Sequence, residues 1–205
     1  MTGRAPLGPL VLTLFAGCAN VNDVYLVLPD NGSLGLSCID SRTGDPLIFA
    51  ARDGDTARAN IVVDYLGFDG VPSCRPVQLL EWCRDRGCPI QRRDCREVAL
   101  GAPLPPDLPT LQARVFDQLQ SMGPITRDAP DGVVLIRMTV TRQPCDELMD
   151  QPFRCADLLG CVYSCPVQLD EVRGDILLDL DSLSTQCDEQ VVGICAGIGV
   201  PGGCE

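Results

Sequence analysis

The stretch GVVLIRMTVTRQPC, Gly132 to Cys145, decides how this chain folds. Val134, Ile136, Met138 and Val140 fall at every second position, and Arg137, Thr139 and Thr141 lie between them. A period of two belongs to a strand, because successive side chains leave a pleated backbone on opposite sides. A helix would scatter the same four apolar residues around its circumference. The alternation therefore predicts a strand with one apolar face turned to the core and one wet face carrying the arginine and the threonines.

Working outward, GDILLDLDS shows the same alternation, with Ile176, Leu178 and Leu180 directed inward and Asp175, Asp179 and Asp181 outward. Upstream, Val24 to Leu28 leads into Asp30-Asn31-Gly32, after which Leu34, Leu36 and Cys38 alternate with small polar residues. Asn-Gly between such runs predicts a hairpin, since both central residues of a type I′ turn need positive φ. Asn31-Gly32-Ser33 is also a glycosylation triplet, but here it reads as turn chemistry. Leu47 to Ala51, an Asp53-Gly54 turn and Asn60 to Leu66 continue the meander.

One helix interrupts the strands. In PTLQARVFDQLQSMGP, Leu111, Val115, Leu119 and Met122 recur at helical spacing, Thr110 is placed to cap the start, and Gly123-Pro124 ends it. Such a stripe reads as core packing. Before it, GAPLPPDLP is stiff and extended, because each proline fixes φ and restrains its predecessor. A weak repeat is visible on either side: ANIVVDYLGFDGVPSC leads to Cys83 and GCPIQ, and GVVLIRMTVTRQPC leads to Cys161 and SCPVQ. The expected fold is mainly β, a disulfide-stapled antiparallel β-sandwich-like unit of two related halves. The first half spans 18–100, a Pro-rich connector with the helix near 110–122 spans 101–129, and the second half spans 130–205.

The N-terminal segment has a different character. The apolar run Pro6 to Ala16 is well short of the roughly 20 residues needed to cross a bilayer. Pro6, Gly8 and Pro9 spoil it as a buried helix. With Arg4 ahead of it and the small residues Ala16 and Gly17 behind, it has the pattern of a secretory leader over residues 1–17. Since Cys18 follows directly, the chain resembles a bacterial lipoprotein precursor, whose lipobox runs aliphatic, small, small, cysteine; Phe15 stands in the aliphatic place. The resemblance covers the first 18 residues. It implies cleavage after Gly17, a diacylglyceryl thioether on Cys18 and acylation of the new amino group. Ala19 after the cysteine, in place of aspartate, implies the outer membrane.

Thirteen cysteines are an odd number, and setting Cys18 aside leaves an even set. The twelve are Cys38, Cys74, Cys83, Cys88, Cys95, Cys145, Cys155, Cys161, Cys165, Cys187, Cys195 and Cys204. In an exported chain such density reads as a disulfide framework. No C-x2-C pair occurs and histidine is absent, so neither a zinc ribbon nor a thioredoxin-like redox pair is expected. Five of the twelve fall in the first half and seven in the second, so complete pairing requires at least one bridge between the halves. The expectation is one stapled unit.

Charge and composition exclude several functions. Lysine is absent along with histidine, and the chain after residue 17 carries 15 arginines against 28 acids, a net charge of −13. That surface repels phosphate backbones, so no nucleic-acid partner is expected, and membrane contact has to come from the lipid. Without histidine there is no Ser-His-Asp or Cys-His machinery, and without lysine no Schiff base and no P-loop. Carboxylate chemistry remains open through Asp170-Glu171, Asp188-Glu189 and the row Asp175, Asp179 and Asp181. Acids of this kind more commonly sit on solvated strand faces. Asp53-Gly54-Asp55 and Asp179-Leu180-Asp181 offer oxygens for calcium without an EF-hand spacing, and the former reads as a turn. No cofactor, metal site or catalytic residue is assigned. The sequence favours a non-catalytic envelope lipoprotein acting as a structural or binding module toward an envelope protein or a glycan. The alternative is an envelope hydrolase using paired carboxylates on glycans.

Overall fold

The β-branched run NIVVDYL and the alternating run VVLIRMTVT become the two central strands of a sheet. The structure, a computed structural model, describes residues 23–26, 38, 46–49, 58–69, 82–83, 85–101, 103–127, 129–149, 151–169, 176–178 and 195. Its elements in chain order are β1 (Val24–Leu26), β2 (Arg58–Gly67), β3 (Ile90–Ala99), α1 (Leu108–Ser121), β4 (Val133–Thr141), α2 (Cys145–Leu148), β5 (Leu158–Tyr163), β6 (Val167–Gln168) and β7 (Ile176–Leu178). Single 3-10 turns occupy Leu47–Phe49 and Cys155–Asp157.

The main sheet has the order β3-β2-β4-β5, and every pairing in it is antiparallel. The short β6 pairs with the first residues of β4, beyond the end of β5. β1 and β7 form a separate parallel pair. The fold is thus mainly antiparallel β, as the sequence predicts.

Both faces of the main sheet are covered. On one, Ile61, Val63 and Tyr65 of β2 and Ile136, Met138 and Val140 of β4 pack against Leu111, Val115 and Leu119 of α1. Fully burying one such aliphatic side chain contributes roughly 1.5–3 kcal/mol, so this helical stripe is a substantial part of the core. On the other face, Val62, Leu66 and Leu135 meet Leu148, Phe153 and Tyr163, together with the Cys83–Cys88 and Cys161–Cys195 bridges. The expected wet face of β4 is therefore a correction. Arg137, Thr139 and Thr141 alternate with the apolar set as predicted, but all three are buried under this second layer. The alternation gives the face of each residue and not what covers it.

Two further expectations change. In place of an extension of the meander over Leu47 to Ala51, Leu47–Phe49 form a 3-10 turn, with the Leu47 N–H donating to the Cys38 carbonyl at 2.7 Å. The helix begins at Leu108 and not after Thr110; Asp107 is its N-cap, and its carboxylate accepts from the Thr110 N–H at 2.9 Å and the Thr110 hydroxyl at 3.0 Å. Pro109 sits within the first turn, where the missing N–H leaves no intrahelical bond unmade. At the other end Gly123 takes φ +79° and stops the helix, as predicted.

The segments expected as halves share one sheet, since β2 lies directly beside β4 along most of its length. The two Cys-Pro elements lie in different settings: GCPIQ opens β3, which pairs along β2, whereas SCPVQ leads into the two-residue β6. The Asn31-Gly32 hairpin and the Asp53-Gly54 turn lie outside the described residues, as do Asp175, Asp179, Leu180 and Asp181. Among the described residues no helix is long and apolar enough to cross a membrane.

Candidate functional site

The registers of the main sheet set four polar side chains side by side. Arg93 of β3 stands opposite Asp64 of β2, Asp64 opposite Arg137 of β4, and Arg137 opposite Tyr163 of β5. Because directly opposed residues share a face, all four point into the layer closed by Phe153 and Cys195. Asp64 and Arg137 are completely buried, and the Arg93 side chain keeps 11% of its surface.

Asp64 accepts four hydrogen bonds from the two guanidinium groups. Arg93 Nε reaches Oδ1 at 2.6 Å and Nη2 reaches Oδ2 at 3.1 Å, while Arg137 donates to Oδ2 through Nε at 3.0 Å and Nη2 at 2.5 Å. Three of the four fall on Oδ2 and one on Oδ1. Among the described residues the centre holds two cations and one anion, and the remaining guanidinium hydrogens also find dipoles. Arg137 Nη1 donates to the Cys195 carbonyl at 3.0 Å, and Arg93 Nη1 to the Leu148 carbonyl at 2.8 Å, at the C-terminal end of α2. Both guanidinium groups also lie over the Phe153 ring, at 4.7 and 5.7 Å from its centroid, where the negative face of the π-system favours a cation.

Tyr163 completes the row, its hydroxyl donating to the Cys195 carbonyl at 2.7 Å. Burial pushes its pKa up to about 12, partly opposed by the adjacent Arg137 charge. For Arg137, burial works against the charge, but the Asp64 carboxylate outweighs it and the pKa lies above its ordinary value. The row is thus a fixed, hydrogen-bonded tie across four strands. Its carboxylate is committed to two arginines.

A second polar group lies on the opposite face. Asp94 accepts from Arg92 Nε at 2.8 Å and from the Thr126 hydroxyl at 3.0 Å, beneath the point where Val24 of β1 bridges Thr126. Tyr65 is buried beside them, and burial raises its pKa above the ordinary value.

Of the cysteines, Cys83–Cys88, Cys95–Cys145 and Cys161–Cys195 form bridges with Cα separations of 4.9, 5.7 and 6.1 Å. Cys38, Cys155 and Cys165 are also disulfide-bonded. Cys95–Cys145 joins the segments on either side of the connector, which is the kind of crossing bridge that the five-and-seven count requires. Gly17, Cys18, Cys74, Cys187 and Cys204 lie outside the described residues, as do Asp53-Gly54-Asp55, Asp170-Glu171 and Asp188-Glu189. Among the described residues no group of three or more acids and cysteines is gathered to hold a metal.

Sequence reasoning missed the Arg93–Asp64–Arg137 row, although a signal was present. Asp64 lies within Val62-Val63-Asp64-Tyr65-Leu66 and Arg137 within Leu135-Ile136-Arg137-Met138. A single charge with apolar neighbours on both sides marks a strand buried on both faces, whose charge needs a partner. Comparison with protein-family models, curated proteins and solved structures returned no match.

Proposed function

We propose that this protein is a non-catalytic lipoprotein of the cell envelope, held at the outer membrane through lipid on Cys18 and presenting a rigid scaffold for binding an envelope protein or a glycan. The observation that carries the reading is that every described cysteine, nine in all, is in a disulfide. Structural disulfides at this density belong to oxidising compartments outside the cytosol. Thirteen is an odd number, so at least one sulfur has no partner within the chain, and the lipobox pattern assigns that place to Cys18. The polar row supports the non-catalytic part of the reading: the most deeply buried charges are locked to one another and stiffen the sheet. With lysine and histidine absent, the commonest nucleophile-activating and proton-transfer groups are missing from the chain.

The test is fractionation of the native host expressing the parent and a Cys18→Ser variant. The parent is expected in the outer-membrane fraction and the variant outside it. A parent recovered in the soluble fraction contradicts the reading.

A further inference from the structure

We propose that β3 is a homodimerisation edge, pairing antiparallel with β3 of a second copy about a two-fold axis at Cys95. Gln118 of α1 binds both polar groups of Ala99, its Oε1 accepting from the Ala99 N–H at 2.9 Å and its Nε2 donating to the Ala99 carbonyl at 2.6 Å. The Ala99 backbone therefore faces away from β2. Because an antiparallel ladder alternates, Glu97, Cys95 and Arg93 face outward as well, and Val98, Arg96 and Asp94 face β2. No described residue makes a backbone hydrogen bond to Arg93, Cys95 or Glu97 on that outer side. The result is a short, open edge closed off at Ala99 by Gln118.

An open edge invites another strand, and charge on such an edge normally discourages it. Here the charges veto every antiparallel self-pairing except one. Outward groups must meet outward groups, so the axis can lie at Asp94, Cys95 or Arg96. An axis at Asp94 sets Asp94 against its own copy and Arg92 against Arg96, and an axis at Arg96 sets Arg96 against itself. An axis at Cys95 sets Asp94 opposite Arg96 twice and Arg93 opposite Glu97 twice, with no like charges facing. Arg96 has no ion-pair partner of its own among the described residues. The same register joins Cys95 to Cys95 and Arg93 to Glu97 through their outward groups, giving about six backbone hydrogen bonds by the pairwise exchange of an antiparallel ladder. α2 is tied to β3 by Cys95–Cys145 and leans from there toward β2, with the Cys145 sulfur 3.5 Å from the Asn60 side-chain oxygen. The occupant is thus a second copy, and the closed two-fold contact uses the edge up completely.

Arg93 is held by Asp64 and Glu97 by Arg58, so some six hydrogen bonds and two Asp94–Arg96 ion pairs without a large apolar patch place the dissociation constant on the order of 10–1000 µM. The experiment uses the oxidised chain carrying Cys18→Ser, so that neither lipid nor a disulfide through Cys18 holds two copies together. Analytical ultracentrifugation across that range is expected to show a monomer–dimer equilibrium, weakened about tenfold or more by Arg96→Glu, which sets two acids opposite each other. In the same chain without Arg96→Glu, amide exchange followed by NMR is expected to show the N–H groups of Arg93, Cys95 and Glu97 gaining protection with concentration. A chain that stays monomeric at about 1 mM overturns the proposal. So does a dimer that leaves those three amides unprotected, or one unaffected by Arg96→Glu.

Discussion

Replacing Asp64 by asparagine removes one charge from the centre of the sheet and almost none of its volume. In the parent, the carboxylate is the only anion that the described residues set against two guanidinium groups, one wholly buried and one nearly so. The Asp64→Asn change would leave both cations in place, and arginine cannot shed its proton to escape. Deleting one partner of a buried ion pair costs roughly 3–5 kcal/mol, and the upper end applies here because a single carboxylate serves both cations. Against a typical total of about 5–15 kcal/mol, that is a large share of the fold's stability. For a chain of this length it corresponds to a fall in Tm of roughly 6–20 °C. The assay is urea unfolding followed by far-UV circular dichroism with the disulfides intact. Arg137→Met is the internal control; it should cost less than Asp64→Asn, because Arg93 still compensates Asp64 in a two-bond contact. Replacing Asp64, Arg93 and Arg137 together by apolar residues of similar size should return stability close to that of the parent. An Asp64→Asn chain within about 1 kcal/mol of the parent refutes the reasoning, since a buried cation stripped of its partner cannot be that cheap.

The staples should rank by the loops they close. Removing Cys95–Cys145, with a separation of 50 residues, is expected to cost about 4 kcal/mol, and removing Cys83–Cys88, with a separation of 5, about 2 kcal/mol, as read from unfolding of paired Cys→Ser variants. An inverted order contradicts the loop argument. Alkaline pH should unfold the chain through its buried tyrosines: the folded state keeps the Tyr163 proton up to about pH 12, whereas the unfolded state loses it near pH 10.0. Stability is then intact below the lower value and falls between the two by roughly 3 kcal/mol, with Tyr65 acting in the same direction. Absorbance at about 295 nm, where tyrosinate absorbs, and circular dichroism should change together. Ionisation of both tyrosines with the fold intact contradicts this.

The strands and the helix were legible because their periodicity is local. Val134 to Val140 alternates within a single short run, and the stripe Leu111, Val115, Leu119 needs only its own neighbours to be recognised. The need for a bridge between the segments followed from counting sulfurs, and Cys95–Cys145 is such a bridge. The covering of Arg137 was not legible, because it depends on α2, Phe153 and Cys195 meeting from distant parts of the chain. The start of the helix was hard to place because Asp107 and Thr110 are both capable caps; only the Asp107–Thr110 contacts show that the acid caps and the threonine donates to it. The Arg93–Asp64–Arg137 row required a register, and register is set by non-local pairing of β2 with strands on either side.

Intact mass of the protein extracted from its native membrane, alkylated with and without prior reduction, tests the central claim most directly. The account predicts a chain beginning at Cys18, heavier by its acyl groups, that takes up alkylating agent only after reduction. A bare, alkylatable Cys18, or cysteines already reduced in freshly isolated protein, contradicts it.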